Sequence, residues 1–256
     1  MYVKCIDSIQ KWMASNRLML NPAKSEFIWC ASPRRVHLID RSDFVLNDGT
    51  VAVSTVVRNL GNFFYEPMSM IDHVNQLIRS CFYQLRRIKS IRWLLPTSTV
   101  IQLVNSFVSS RVEYCNSLLA GLPKCQLDRI QCVLNVAVRL IYGRGRYEHV
   151  ISLLRDRLHW LRVPQRVEFK RCLLVYKALH GLAPAYITEY CVFNTNERRS
   201  SLRSSAQNRL LIPRPSKTVR LGERSFSVNG SSLWNSLLDS VKSSTSVDVF
   251  KSRLKT

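Results

Sequence analysis

DHVNQLIRSCFYQLRRIKSIRW, residues 72–93, is the stretch that decides the fold, because the spacing of apolar residues changes here from that of strands to that of helices. Its apolar side chains recur every three or four residues, and such residues share one face of a helix. They are Val74, Leu77, Ile78, Cys81, Phe82, Leu85 and Ile88. The same spacing continues as far as His180, so we predict a chain that is predominantly helical.

The opposite face of this predicted helix is basic. At about 100° per residue, Arg79, Tyr83, Arg86, Arg87 and Ser90 fall together, away from the apolar stripe. Guanidinium groups bind phosphates, and a tyrosine ring stacks on bases. We therefore predict a nucleic-acid-binding surface at Arg79, Tyr83, Arg86 and Arg87. The alternative is a solvated helix face, since surface arginines are common.

Four more helices are predicted downstream. Pro96 and Pro123 suit the first turns of two of them, because proline there loses no helical hydrogen bond. Residues 149–160 and 164–180 form the other two, and Gly181 closes the last.

The N-terminal residues show a different pattern. Apolar residues at helical spacing predict a helix over residues 1–16. Aromatic and β-branched content predicts a strand over residues 26–31. Asp48-Gly49 suits the tight turn of a hairpin. Residues 56–65 suit one further strand, in which Gly61 indicates a bulge or a close backbone approach.

The chain becomes irregular in its C-terminal part. Residues 194–217 are rich in Arg, Ser, Asn and Pro, which predicts a loop or a partly disordered basic arm. Arg198, Arg199 and Arg203 are candidate phosphate ligands within it, and the basic run continues through Arg209, Arg214, Lys217 and Arg220 to Arg224. An arm that contacts nothing specific is an equal alternative.

These elements predict an α+β fold that is predominantly α. A small N-terminal module with hairpin strands covers residues 1–68, and a helical bundle covers residues 69–182. A basic, partly irregular region covers residues 183–256. Order is expected to return within that region, where residues 247–254 predict a short closing helix.

The charge of the chain favours a polyanionic partner. Lys and Arg number 38 against 17 Asp and Glu, which gives a net charge of +21 at pH 7. So strong a positive field favours nucleic acid or an anionic membrane surface, although some proteins are basic only for solubility.

Nucleic acid is the preferred partner, with no membrane. No stretch approaches the roughly 18 uninterrupted apolar residues of a spanning helix. Lys4, Asp7 and Lys11 interrupt the N-terminal apolar pattern, unlike in a signal peptide. We therefore expect a nuclear or cytoplasmic protein whose eight cysteines are reduced. No C-x-x-C pair or zinc-ligand spacing occurs, so we interpret the cysteines as buried apolar thiols.

Several motifs follow one another along the chain. Residues 12–26 (WMASNRLMLNPAKSE) come first, followed by residues 59–61 (NLG), residues 68–70 (MSM) and His73. The next are residues 108–119 (VSSRVEYCNSLL) with 121–123 (GLP), and residues 158–164 (LHWLRVP) with Arg166, Phe169 and Lys170. Residues 225–226 (SF), 233–237 (LWNSL), 250–251 (FK) and 254–256 (LKT) complete the series. In this order they resemble the end of the palm, the thumb and the C-terminal region of non-LTR (LINE-type) retrotransposon reverse transcriptases.

The chain departs from that family's pattern at scattered positions. Tyr65 stands where an aspartate is usual, Asn62 replaces an apolar residue, and Arg162 replaces a proline. Such changes suit a decaying genomic copy or ordinary divergence.

The resemblance implies a fragment of an RNA-directed DNA polymerase. Its partners would be RNA or an RNA/DNA primer–template, together with the upstream palm and fingers of the full enzyme. Polymerases hold two Mg²⁺ ions on paired carboxylates, which this family takes from an earlier palm motif and an [FY]-x-D-D turn. The sequence contains no Asp-Asp pair. We therefore assign no catalytic residue and no cofactor, since Mg²⁺ belongs to the complete polymerase, and expect this chain alone to be inactive.

Further candidates come from the resemblance and from local chemistry. By resemblance, Lys24 lies in the motif that closes the palm, and Gly61 lies in a hairpin that grips the primer end. A solvated turn lysine is the alternative for Lys24. His159-Trp160 suggests either a nucleic-acid stacking pair or a buried structural corner, and we prefer the corner.

The glycine-basic run at residues 143–146 has two interpretations as well. It suggests a phosphate-binding loop or a helix-ending turn, and we prefer the turn because no strand precedes it.

The leading functional hypothesis is a thumb and tail that bind RNA or primer–template through shape and phosphate contacts. The alternative is a domesticated or degenerate helical interaction module without nucleic-acid function.

Overall fold

The computed structural model describes residues 2–31, 36–38, 44–46, 49–66, 68–194, 209–214 and 219–255. It divides the chain into two compact units, Met1–His73 and Val74–Thr256. The described residues are mostly helical, with two small antiparallel sheets, so the prediction of a predominantly α fold is confirmed.

The first unit begins with a helix and continues with strands. Helix α1 spans Tyr2–Ser15, as its apolar spacing predicts. Strands β1 (Phe44–Leu46) and β2 (Gly49–Val51) pair antiparallel with Leu46 opposite Gly49, so the predicted hairpin is present. Its turn residues 47–48 lie outside the described residues.

The prediction of a single strand over residues 56–65 is wrong. The chain forms β3 (Val56–Asn59) and β4 (Asn62–Tyr65), which pair antiparallel with Asn59 opposite Asn62. Leu60 has φ 47° and Gly61 has φ 84°, as a type I′ hairpin turn requires. Gly61 therefore lies in the turn and does not form a bulge within one strand.

The strand predicted over residues 26–31 is also absent. Phe27 forms one isolated parallel bridge with Val53, where the N–H of Ser54 donates to the Phe27 carbonyl at 2.8 Å. A strand needs a ladder of backbone partners, and Phe27 and Ala31 make only scattered bonds of this kind. High strand propensity without such a ladder leaves the segment irregular.

The second unit is built of helices. Helix α2 spans Ile71–Ile91 and crosses from the first unit into the second. The other helices are α3 (Thr97–Val104), α4 (Ser110–Glu113), α5 (Lys124–Tyr142), α6 (Val163–Leu179), α7 (Ala185–Thr188), α8 (Val219–Arg224), α9 (Phe226–Ser236), α10 (Asp239–Lys242) and α11 (Val247–Lys255).

Two π-helical turns interrupt the helical pattern. The first, Asn105–Ser109, joins α3 to α4. The second spans Leu153–Arg157. Between residues 149 and 160 only 151–157 are helical, and this turn makes up most of them. The helix predicted over 149–160 is therefore wrong in length, since the wide turn ends it before His159.

The C-terminal helices pack against α6. Tyr176 of α6 stacks on Phe250 of α11 with ring centroids 4.3 Å apart, and its hydroxyl donates to the Ser244 carbonyl at 2.8 Å. On α9, Gly230 is buried, and a Cβ there would lie 3.2 Å from Val175 Cγ2. The described part of the C-terminal region thus belongs to the core of the second unit.

The cysteines are only partly buried. Cys81, Cys172 and Cys191 are buried, as expected for apolar thiols, but Cys5, Cys30, Cys125 and Cys132 are exposed. The interpretation of all eight as buried is therefore wrong, because small apolar side chains also tolerate exposed positions. Among the described residues, no helix is both long and apolar enough to cross a membrane.

Candidate nucleic-acid interface

Helix α2 presents one buried and one basic face. Val74, Cys81, Leu85 and Ile88 are buried. Arg79, Tyr83, Arg86, Arg87 and Ser90 lie on the other side, in the arrangement predicted from their spacing, and all five are exposed. We call the surface formed by Arg79, Tyr83, Arg86 and Arg87 the α2 basic face.

The side chains of the α2 basic face remain available to a ligand. The Arg87 guanidinium carbon lies 5.8 Å from the centroid of the Tyr83 ring, and that ring is 51% exposed. Within the described part of the chain, the side chains of Arg79 and Arg86 make no hydrogen bond or ion pair. Unpaired arginines beside an exposed ring suit phosphate and base contacts together.

Neighbouring helices hold α2 in place. Arg129 of α5 donates to Asn75 Oδ1 at 2.8 Å, and Arg111 of α4 donates to Ser80 Oγ at 2.6 Å. These contacts fix the rotation of α2 and therefore the direction in which its basic face points.

The end of α2 shows one aromatic residue that sequence reasoning missed. Arg92 donates to the carbonyls of Leu140 and Ile141 at 3.1 and 2.9 Å, so it has a structural role. Trp93, next to it, is 80% exposed and offers a second stacking ring. The signal available in the sequence was an aromatic residue directly after a basic helix.

Lys24 and Gly61 belong to the first unit. Lys24 is exposed in the short 3₁₀ turn Pro22–Lys24. Gly61 is exposed in the β3–β4 turn. The α2 basic face lies in the other unit.

The basic arm is only partly described. Arg198, Arg199 and Arg203 lie outside the described residues. Arg209 and Arg214 are exposed. Arg224, which the sequence assigned to the same basic run, instead donates to the Ala120 carbonyl at 3.1 Å and the Leu118 carbonyl at 3.5 Å.

Burial lowers the pKa of the Arg224 guanidinium, and its carbonyl partners compensate the lost hydration. Arg224 is therefore a packing residue of the second unit, and its inclusion in the arm was wrong.

The loop after α5 is a helix-ending turn, as preferred from the sequence. Gly143 has φ 64° and its N–H donates to the Arg139 carbonyl. The N–H of Gly145 donates to Glu148 Oε1 at 2.6 Å, and Arg144 pairs with the same carboxylate at 3.3 Å. Glu148 therefore already accepts from the Gly145 N–H and the Arg144 guanidinium, which are the donors that a phosphate would use.

A cleft of about 340 Å³ lies beside α6 and unites three of the sequence motifs. Glu113 and Asn116 come from residues 108–119, His159 and Trp160 from residues 158–164, and Lys255 from the end of the chain. Residues of α6, among them Arg166, Phe169 and Lys170, form the floor. We call this site the α6 cleft.

Arg166 organises the α6 cleft. It is 7% exposed, its Nε donates to the Leu161 carbonyl at 2.8 Å, and it pairs with Glu113. Its guanidinium lies 5.5 Å from the centroid of the Trp160 ring. Burial lowers the pKa of Arg166, while the Glu113 charge opposes that change, so the pair keeps the arginine ionised and fixed.

The walls of the α6 cleft have unusual backbone. Cys115, next to Asn116, has φ 50°, and His159 has φ 51°. Each follows one of the two π-helical turns by a few residues. Strained residues and π-helical turns concentrate at functional sites in proteins.

Asn116 and the His159-Trp160 pair complete the description of the α6 cleft. Asn116 is 4% exposed, and its Oδ1 has no hydrogen-bond partner among the described residues. His159 is exposed and Trp160 is partly buried, so the interpretation of a fully buried corner is wrong for the histidine.

Metal ligands and relatives give no further assignment. No three His, Cys, Asp or Glu side chains among the described residues come together as they would to hold a metal ion. No protein-family model matches the chain, and comparisons with curated proteins and with solved structures found no match either.

Proposed function

We propose that this chain is a nucleic-acid-binding fragment of a LINE-type reverse transcriptase, comprising the palm edge, a thumb-like helical bundle and the C-terminal region. It binds RNA or an RNA/DNA primer–template through phosphates with little base specificity. The carboxylates and Mg²⁺ of polymerisation belong to the palm of the full enzyme.

The α2 basic face is the observation that carries this proposal. Three arginines and an exposed tyrosine lie along one side of a helix whose other side is buried. Two of the arginines have no partner among the described residues. A net charge of +21 adds long-range attraction for a polyanion.

The test is a variant in which Arg79, Arg86 and Arg87 are all replaced by alanine. We expect it to weaken binding about equally across sequences and to flatten the slope of log affinity against log salt. Each duplex phosphate that the variant no longer neutralises should change that slope by roughly 0.9. Affinity is measured by fluorescence anisotropy across a salt series.

A matched control removes the same three charges elsewhere. Arg144, Arg155 and Arg157 are exposed residues of the segment after α5, and their replacement by alanine should leave most of the affinity and slope intact. An α2 variant that remains helical by circular dichroism and binds like wild type contradicts the proposal. Partner binding that is insensitive to salt would favour the helical interaction module instead.

A further inference from the structure

The α6 cleft carries a net positive charge although it contains an ion pair. Glu113 is the only acid among its lining residues, and Arg166 neutralises it. Lys170 is exposed and makes no hydrogen bond or ion pair with any described residue. The Nζ of Lys255 lies over the Phe169 ring, 5.6 Å from its centroid. Two ammonium groups therefore remain to attract an anion.

The size and walls of the α6 cleft suit more than a phosphate. Its volume of about 340 Å³ lies within the range of pockets that enclose small organic ligands. Trp160 and Phe169 line it, and Trp160 is held from behind by the buried cluster of Val138, Val150 and Leu154. Fixed aromatic rings beside cations are the features that hold an unstacked base and its phosphate.

Helix α4 connects the α6 cleft to the α2 basic face. Arg111 of α4 donates to Ser80 on α2, and Glu113, two residues later, pairs with Arg166 on α6. One short helix thus contacts both α2 and α6 within the second unit.

We propose that the α6 cleft binds one unpaired nucleotide of the strand whose duplex lies on the α2 basic face. Its base displaces the Lys255 ammonium from the Phe169 ring and stacks on that ring, and its phosphate pairs with Lys170 and the displaced Lys255. This rests on the proposed nucleic-acid function and adds the class of ligand, a single-stranded extension next to a duplex.

The experiment compares a blunt RNA–DNA duplex with the same duplex carrying a single-stranded extension, using the full chain. Wild type should bind the extended duplex roughly tenfold more tightly, because the unpaired nucleotide gains a stacking contact and phosphate contacts together. Replacing both Lys170 and Lys255 by alanine should remove most of this gain and leave blunt-duplex affinity within about twofold. Replacing Lys124 and Lys251 by alanine removes the same charge outside the cleft and should preserve the gain.

A second measurement separates stacking from charge. 2-Aminopurine at the first unpaired position should lose fluorescence on binding wild type, and Phe169→Leu, which keeps the apolar contact, should reduce that loss. Equal affinity for blunt and extended duplexes, or a gain that survives the Lys170/Lys255 variant, overturns the proposal. If the α2 variant binds like wild type while the cleft-dependent gain persists, the proposed α2 function fails and the cleft stands.

Discussion

At the scale of single residues, Gly121 and Arg224 depend on each other. Gly121 has φ +67°, and a Cβ there would lie 2.5 Å from Arg224 Cγ. We expect Gly121→Ala to lower the free energy of unfolding by about 1–3 kcal/mol, because it adds left-handed strain and displaces the arginine. Chemical denaturation monitored by circular dichroism gives the value.

The control for this prediction removes the Arg224 side chain, which a Cβ at position 121 would meet. In an Arg224→Ala background, the additional cost of Gly121→Ala should fall to the strain alone. Equal costs in both backgrounds would mean that the two side chains do not interact.

Two buried thiols make stability depend on pH. Burial raises the pKa of Cys81 to about 11 and that of Cys172 to about 12. The folded state therefore keeps them neutral, so their contribution is full below the unfolded thiol pKa, near 8.5. This contribution to stability decreases as the pH rises above the unfolded pKa toward the folded pKa. From pH 8 to pH 10 we expect the unfolding free energy to fall by about 1–2 kcal/mol for each thiol.

A variant that lacks one of the two thiols tests this prediction. Cys172→Ala should be less stable at pH 8 but lose less stability than wild type between pH 8 and pH 10. An identical pH slope for the two proteins would contradict ionisation of Cys172 as a cause.

At the scale of elements, the β3–β4 turn contains an unfavourable residue. Leu60 is 80% exposed with φ 47°, a conformation that asparagine tolerates far better. We expect Leu60→Asn to slow hydrogen exchange of the β3 and β4 amides, in line with a gain of about 0.5–1 kcal/mol. Faster exchange in the variant would show that Leu60 contributes more by its side-chain packing than its backbone costs.

Element boundaries were predictable where proline or glycine marks them. Helices α5 and α6 begin and end within a residue or two of the positions indicated by Pro123, Gly143, Pro164 and Gly181. The β3–β4 turn was missed because leucine is not a turn residue. The π-helical turns were missed because one extra residue per turn barely disturbs the apolar spacing.

The two candidate surfaces differed in how far the sequence revealed them. The α2 basic face was predictable because all its residues lie on one helix, where spacing alone sets direction. The α6 cleft was not, because its walls come from segments far apart in the chain. Periodicity gives no information on which distant loops meet.

At the scale of the whole molecule, the proposed function predicts binding without catalysis. We predict that purified protein incorporates no nucleotide on a primed RNA template with Mg²⁺ or Mn²⁺, because its sequence has no Asp-Asp pair. Primer extension is measured against a mock preparation, under conditions in which binding of the same template is confirmed. Template-dependent extension above the mock level would refute this prediction.

The packing of Arg224 across Gly121 also limits how the gene can change. The two positions are about a hundred residues apart in the chain, yet a side chain at 121 also needs a residue smaller than arginine at 224. Related sequences that replace Gly121 should therefore carry a smaller residue at 224 as well, whereas Arg224 can change while Gly121 is kept.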